Sequence, residues 1–214
     1  MPINLNLPEY RRLRKSIRED PKSYILIVGA GLSAGAGVPT WEELKNHMLD
    51  ELRILNPVDQ NIKIIDEETD LWRCFSQLKK SLNEINYRKI IYENLNIEGK
   101  EFPVQYLKLW EMGIKGIINF NLDKFAIESY INSKKRFVDF ATSIEPHKYR
   151  NFLTGRDNFV FHVHGIVNDE MSWVFTEEER NQLLRNDTYN KFIDNALNNK
   201  NFIIVGFNPD DFVF

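Results

Sequence analysis

The sequence predicts an α/β protein with a Rossmann-like, mainly parallel sheet that is flanked by helices. Three observations lead to this fold class. Short apolar runs alternate along the chain with longer segments in which apolar residues recur at helical spacing. The run at residues 24–28 carries no charge, as is usual for strands buried on both faces. Glycines follow that run directly, at positions 29, 31, 35 and 37, and an amphipathic helical pattern comes next.

Helical patterns dominate the first half of the chain apart from that strand. Residues 10–17 place apolar side chains at helical spacing beneath a basic run, which predicts a solvated helix face. Residues 41–55 carry one apolar stripe and end at an Asn-Pro pair, so a helix is predicted there. Residues 58–103 are more polar, with no Gly or Pro between 58 and 98. They predict a helical insertion.

The second half alternates between strand and helix patterns. Strands are predicted at residues 113–120, 135–141, 158–164 and 202–206, the last of them buried. A helix is predicted at residues 122–131, and Thr176 with Glu179 forms a capping box that begins another. One face of the final helix carries Tyr189, Phe192, Ile193, Ala196 and Leu197.

Composition limits the classes of function. A chain of 214 residues with 43% hydrophobic and 13% aromatic content suits one domain, 1–214, and excludes disorder. The 28 basic and 31 acidic residues give a net charge of −3, so no general attraction to nucleic acid is expected. No run approaches the roughly 20 apolar residues of a membrane span, and the N-terminus lacks a secretory signal pattern. We expect a cytoplasmic protein without direct nucleic-acid or membrane binding.

The glycine loop predicts an anion site. Residues 29–34, GAGLSA, fit the pattern G-x-G-x-x-A, in which main-chain N–H groups can approach a diphosphate. A glycine-rich turn without a ligand is the alternative. A nicotinamide dehydrogenase would place an acidic residue after a second strand about 20 positions later, but Asp50 and Glu51 fall within a predicted helix. No Lys-Ser or Lys-Thr pair closes the loop, which excludes a P-loop.

Four segments resemble, in order, the motifs of the sirtuin (Sir2-like) superfamily. Residues 29–41 are similar to its glycine signature, which ends in G-x-P-x-aromatic. Residues 119–123, NFNLD, resemble the T-x-N-x-D segment, and His164-Gly165 resembles the catalytic His-Gly pair. Residues 202–211 resemble the late strand and the loop on the adenosine side. The matches extend over nearly the whole chain.

The resemblance implies that NAD+ is bound as a substrate. Asp123 matches the position that meets the nicotinamide carboxamide, although an acidic residue near a helix N-terminus is the competing interpretation. The residues that the resemblance assigns to NAD+ binding are Gly29, Ala30, Gly31, Ser33, Pro39, Trp41, Asp123, Gly206 and Asn208.

Two residues are the candidates for catalysis. The amide of Asn121 could bind ribose hydroxyls or an ordered water, though a turn residue or helix cap is the simpler interpretation. His164 could accept a proton or orient water, because an imidazole titrates near neutrality. His162 is expected on the same sheet face, but the following Gly165 favours His164. A pair of core histidines without chemistry remains the alternative.

The departures from the family pattern indicate which branch the chain resembles. Protein-deacylating sirtuins generally carry four cysteines in a zinc ribbon, whereas this chain has only Cys74, whose helical surroundings predict a buried structural thiol. We therefore expect no zinc ribbon and no structural metal. Glu42, Asn119, Phe120 and Asn208 stand where deacylating members usually have Arg, Thr, Gln and Ser.

The lone cysteine and the form G-x-P-x-W, ending at Trp41, look more like the Sir2-like effector domains of bacterial anti-phage systems. That resemblance implies an NAD+ glycohydrolase, which releases nicotinamide and ADP-ribose and depletes NAD in abortive infection. It also implies a homo-oligomer and a sensor domain or partner subunit, with this chain as the N-terminal part of a longer protein. The alternatives are a non-catalytic NAD or ADP-ribose-binding module that regulates an assembly and an NAD-dependent protein deacylase.

Overall fold

The computed structural model describes residues 6–207. Its strands are β1 (Tyr24–Val28), β2 (Gly116–Asn119), β3 (Asp139–Thr142), β4 (Phe159–His162) and β5 (Asn201–Val205). They form one sheet in the order β3-β4-β2-β1-β5, and every pairing is parallel. The predicted fold class is confirmed.

Helices connect the strands and cover both faces of the sheet. The α-helices within residues 6–207 are α1 (Pro8–Glu19), α2 (Gly31–Ala34), α3 (Trp41–Leu55), α4 (Asn61–Glu67), α5 (Leu71–Ser81), α6 (Glu84–Leu95), α7 (Val104–Glu111), α8 (Phe125–Lys134), α9 (Pro146–Tyr149), α10 (Glu177–Leu184) and α11 (Asp187–Asn199). None of them is both long enough and apolar enough to cross a membrane.

Strand β1 lies inside the sheet and is buried along its whole length. Tyr24, Leu26 and Val28 face a large apolar cluster to which α3 through α8 contribute. Ile25 and Ile27 face a second cluster, to which α9, α10 and α11 contribute. Because both faces are covered, a strand without charges is required here, as the uncharged run predicts.

Several predicted elements have the expected positions. Helix α3 has the predicted bounds, and residues 58–103 contain α4, α5 and α6. Cys74 is buried in α5. The capping box at α10 is present, with the Thr176 hydroxyl accepting from the Glu179 N–H. A second capping box, Thr40 with Glu43, begins α3.

Other predicted boundaries and burials were wrong. Strand β4 ends at His162, so His164 lies in the following turn and not on the strand. Residue 135 ends α8 with a positive φ of 55°, and β3 begins only at residue 139. Strand β5 is partly exposed instead of buried, because it lies at the sheet edge and pairs with β1 alone among the described strands. On the predicted apolar face of α11, Tyr189, Phe192 and Ala196 are buried, whereas Leu197 at its end is exposed.

The glycine loop after β1 is joined to the end of β5. The Gly29 N–H donates to the Val205 carbonyl at 3.0 Å, and the Gly31 N–H donates to the Gly206 carbonyl at 2.8 Å. A Cβ atom at Gly29 would lie 2.7 Å from the Gly206 oxygen, so only glycine permits this approach. The strand order reverses about β1, and loops at the carboxyl ends of strands near such a point form the ligand crevice of doubly wound sheets.

Candidate active site

Four buried polar side chains meet beyond the carboxyl ends of β1 and β2, and we call them the polar cluster: Ser33, Tyr106, Asn121 and Asp123. The hydroxyls of Ser33 and Tyr106 lie 3.0 Å apart. The Asn121 Nδ2 donates to the Gly29 carbonyl at 3.0 Å and to the Ser33 hydroxyl at 3.2 Å. The amide of Asn121 is therefore held in one orientation by its nitrogen, and its oxygen points away from these partners.

Two acceptors of the polar cluster are buried without a hydrogen-bond partner among the described residues. They are Oδ1 of Asn121 and Oδ2 of Asp123. An unpaired buried acceptor is uncommon and costs about 1–3 kcal/mol of stability. Both side chains line the same narrow cavity, which is large enough for about one water molecule. A ligand with polar N–H or O–H groups would satisfy both acceptors.

Burial also perturbs the charge of Asp123. Desolvation raises the pKa of this carboxyl to about 6, while the Ser33 hydroxyl and the Phe125 N–H oppose the shift. The Phe125 N–H donates to Oδ1 at 3.0 Å, as expected for an acidic side chain at the start of α8. At neutral pH the carboxylate prevails, so Oδ2 is a charged acceptor inside the protein.

Tyr106 is a site residue that sequence reasoning missed. It lies on α7, outside the resembling motifs, and its hydroxyl is within 3.4 Å of the Asn121 Nδ2. Burial holds its pKa well above the usual 10, so the phenol stays neutral. In the sequence it belongs to an apolar helical stripe with Trp110, which carries no signal for a polar role.

The two histidines have different surroundings. His162 is fully buried, and its Nδ1 lies 3.0 Å from the Asn121 carbonyl oxygen. Burial lowers the pKa of His162 to about 4. His162 thus packs beneath the loop that carries Asn121. The expected common face with His164 is wrong, because the chain turns after His162.

His164 packs among aromatic side chains. Its ring lies 5.2 Å from Trp41, 5.4 Å from Trp72 and 5.1 Å from Phe120, each at a steep interplanar angle. The ring of Phe175 also lies 5.2 Å from that of Trp41. We call Trp41, Trp72, Phe120, Phe175 and His164 the aromatic cluster.

These surroundings change the expected chemistry of His164. Burial lowers the pKa of the imidazole to about 3, and a hydrogen bond with the Phe120 backbone opposes the shift only in part. The expectation of titration near neutrality is therefore wrong for this arrangement. The ring is neutral at pH 7 and holds a proton weakly, while its Nδ1 is buried without a partner among residues 6–207. Such a ring can accept a hydrogen bond and orient a hydroxyl or water.

Trp41 connects the two clusters. It lines the cavity of Asn121 and Asp123, and its ring also packs on His164. The two predicted catalytic residues share this neighbour and are not hydrogen-bonded to each other. A nucleotide needs a pocket of roughly 300 Å³ or more, so the cavity beside Trp41 would have to widen before one ligand could touch both residues.

The predicted NAD-binding residues fall into three groups. Ala30, Pro39, Trp41 and Asp123 line the cavity, and Ser33 lies beside it in the polar cluster. Gly29, Gly31 and Gly206 form the junction of the β1 loop with β5. Asn208 lies outside the described residues.

The loop N–H groups already have acceptors within the protein. The Gly29 and Gly31 N–H groups donate to the β5 end, and those of Leu32 and Ser33 donate within the loop. Diphosphate binding by these groups stays a prediction that requires the loop to rearrange. No group of three or more His, Cys, Asp or Glu side chains in residues 6–207 could hold a metal ion.

Comparison with known families matches residues 115–214 to the model of a SIR2-like domain. No curated protein matches the chain. The matched segment begins just before β2 and contains Asn121, Asp123 and His164. The glycine loop precedes the matched segment in sequence. It follows β1, and β1 lies in the parallel sheet between β2 and β5, which both belong to the matched segment. Residues 115–214 are therefore similar to a SIR2-like domain.

Proposed function

We propose that this domain is an NAD+ glycohydrolase, which cleaves NAD+ to nicotinamide and ADP-ribose. One observation carries the proposal: within a SIR2-like domain, two unpaired buried acceptors line one cavity beside a neutral imidazole. The nicotinamide carboxamide offers two N–H donors, and the ribose offers hydroxyls. Asp123 Oδ2 suits the carboxamide, and Asn121 Oδ1 suits a ribose hydroxyl or the attacking water.

The chemistry requires positioning more than strong acids or bases. The bond between ribose and nicotinamide breaks with its electron pair going to the ring nitrogen, so nicotinamide leaves as a neutral molecule. The developing oxocarbenium ion is then attacked by water at the anomeric carbon, and a proton is released. Asn121 would hold the ribose or water, and His164 would accept a hydrogen bond from a ribose hydroxyl or the water.

A role in anti-phage defence is the finer part of the proposal. It rests on the resemblance carried by the G-x-P-x-W form and the lone cysteine. In that role the domain would deplete NAD in the cytoplasm after a sensor domain or partner subunit detects infection, and it would act as a homo-oligomer.

Nicotinamide release from NAD+ by the purified chain tests the proposal, with and without an acetylated peptide. We expect nicotinamide and ADP-ribose in equal amounts, at a rate that the peptide does not change. Strict dependence on the peptide would show a deacylase instead. Tight NAD+ binding with NAD+ recovered intact would favour the non-catalytic binding module.

A further inference from the structure

Trp72 reaches the candidate catalytic histidine from a different part of the chain. It lies on α5, within residues 58–103, and its ring packs edge-on against His164 at 5.4 Å. The same ring contacts Trp41 at 5.2 Å. The guanidinium of Arg180, on α10, lies 5.5 Å from the Trp72 ring centroid. Trp72 is therefore packed between Arg180 of α10 on one hand and the rings of Trp41 and His164 on the other.

Polar contacts hold α5 against the beginning of α10. The Ser76 hydroxyl accepts from the Glu177 N–H at 3.0 Å and donates to the Trp72 carbonyl at 2.8 Å. Arg73 pairs with Glu177 at 3.5 Å. Lys79 pairs with Glu179 at 2.6 Å, and the same Glu179 takes part in the capping box of α10. These contacts extend over about two turns of α5, so they fix the position of Trp72 relative to α10.

The arrangement narrows the approach to His164. Trp41, Trp72 and Phe120 flank the imidazole, each at a centroid distance between 5.1 and 5.4 Å. If the cavity beside Trp41 widened to admit a nucleotide to Asn121 and Asp123, Trp72 would still flank the histidine. A small nucleophile such as water could pass between these aromatic rings more easily than a large one.

We propose that Trp72 selects the nucleophile of the reaction, so that water reaches the anomeric carbon and larger nucleophiles do not. The inference rests on the proposed function and deepens it. In the favoured reaction water forms the new C–O bond, nicotinamide leaves and one proton is released. An alcohol that reached the same carbon would form an O-alkyl ADP-ribose, with the same leaving group and the same proton released. The ratio of the two products therefore shows which nucleophile attacked the anomeric carbon.

Methanol competition with water measures this selection directly. NAD+ is incubated at a fixed methanol concentration, and the ratio of methyl ADP-ribose to ADP-ribose is determined by mass spectrometry. We expect Trp72→Ala to raise that ratio by about tenfold or more, since one methylene in a fitted site changes selectivity by about that factor. Trp72→Phe, which keeps an aromatic ring, is the matched control and should lie between the parent and Trp72→Ala.

The ratio does not depend on the amount of folded enzyme, so a merely structural role of Trp72 would not move it. Arg180→Ala is the second variant. It removes the guanidinium from the Trp72 ring without opening a cavity in α5, and a smaller increase is expected. Unchanged ratios in Trp72→Ala and Arg180→Ala proteins that still release nicotinamide would overturn the inference alone. A parent protein that releases no nicotinamide would overturn the proposed function and this inference with it.

Discussion

The polar cluster and the aromatic cluster are neighbours with opposite physical character. Ser33, Asn121 and Asp123 follow two adjacent strands closely and keep two acceptors unpaired. The aromatic cluster gathers side chains from α3, α5 and the segments after β2 and β4, and it lowers the pKa of His164 by excluding water. The polar side offers unpaired hydrogen-bond acceptors, and the aromatic side keeps water away from His164.

The difference in energy between the clusters is as informative as the difference in chemistry. Each unpaired acceptor of the polar cluster costs about 1–3 kcal/mol of folding free energy. Each aromatic pair contributes about 0.5–1.5 kcal/mol beyond the area it buries. The aromatic cluster can therefore help to offset the strain of a site prepared for a ligand. Both clusters meet at Trp41, so a variant on either side should reveal whether they act together.

The largest expected effect is the loss of NAD+ binding in Gly31→Val. A Cβ atom at Gly31 would lie 3.0 Å from the Gly206 oxygen, so a branched side chain would disturb both the junction with β5 and the predicted diphosphate site. Calorimetric titration with NAD+ measures the change. Gly35→Ala is the control, because the added Cβ meets nothing within 4 Å and the backbone φ is −62°. Parent-like affinity in Gly31→Val would remove this loop from the binding site.

The next largest effect tests whether both clusters serve one reaction. Asn121→Ala and His164→Ala should each reduce nicotinamide release by at least about two orders of magnitude, as is typical when one positioned group is lost. Initial rates measure this, with folding checked by circular dichroism. His162→Ala should mainly lower stability, since His162 is fully buried beneath Asn121. If His162→Ala eliminated turnover and His164→Ala did not, the catalytic assignment would pass to His162.

A smaller effect separates binding from stability in the polar cluster. The pKa of Asp123 is raised from 3.8 to about 6, so its contribution to stability is complete below pH 3.8 and is lost as the pH rises through 6. Asp123→Asn removes the buried charge and should raise the free energy of unfolding by about 3 kcal/mol at pH 7. This increase in the free energy of unfolding should vanish near pH 4, because Asp123 of the parent is then protonated in the folded state.

Urea unfolding of the parent and of Asp123→Asn at the two pH values gives these free energies. Nicotinamide release by the same variant should fall, because an amide cannot supply the charged acceptor. Equal free energies of unfolding for the two proteins at pH 7 would show that the buried charge of Asp123 does not destabilise the folded protein.

The sequence by itself determined the elements and motifs that depend on near neighbours in the chain. The uncharged run of β1, the spacing of α3 and the capping box at Thr176 are local patterns, and each is present as predicted. The loops that carry Asn121 and the β1 glycines could be placed together because parallel strands end at a common edge.

Only the tertiary structure decided which distant side chains join that edge. Tyr106 and Trp72 come from helices whose sequence patterns are those of ordinary apolar stripes, so nothing local distinguishes them. The turn after His162 separates two histidines that strand alternation would place together. Strand β5 is partly exposed because of its place at the edge in the strand order, which no single run of residues encodes. Long-range packing determines burial, and burial in turn lowers the pKa of His162 and His164.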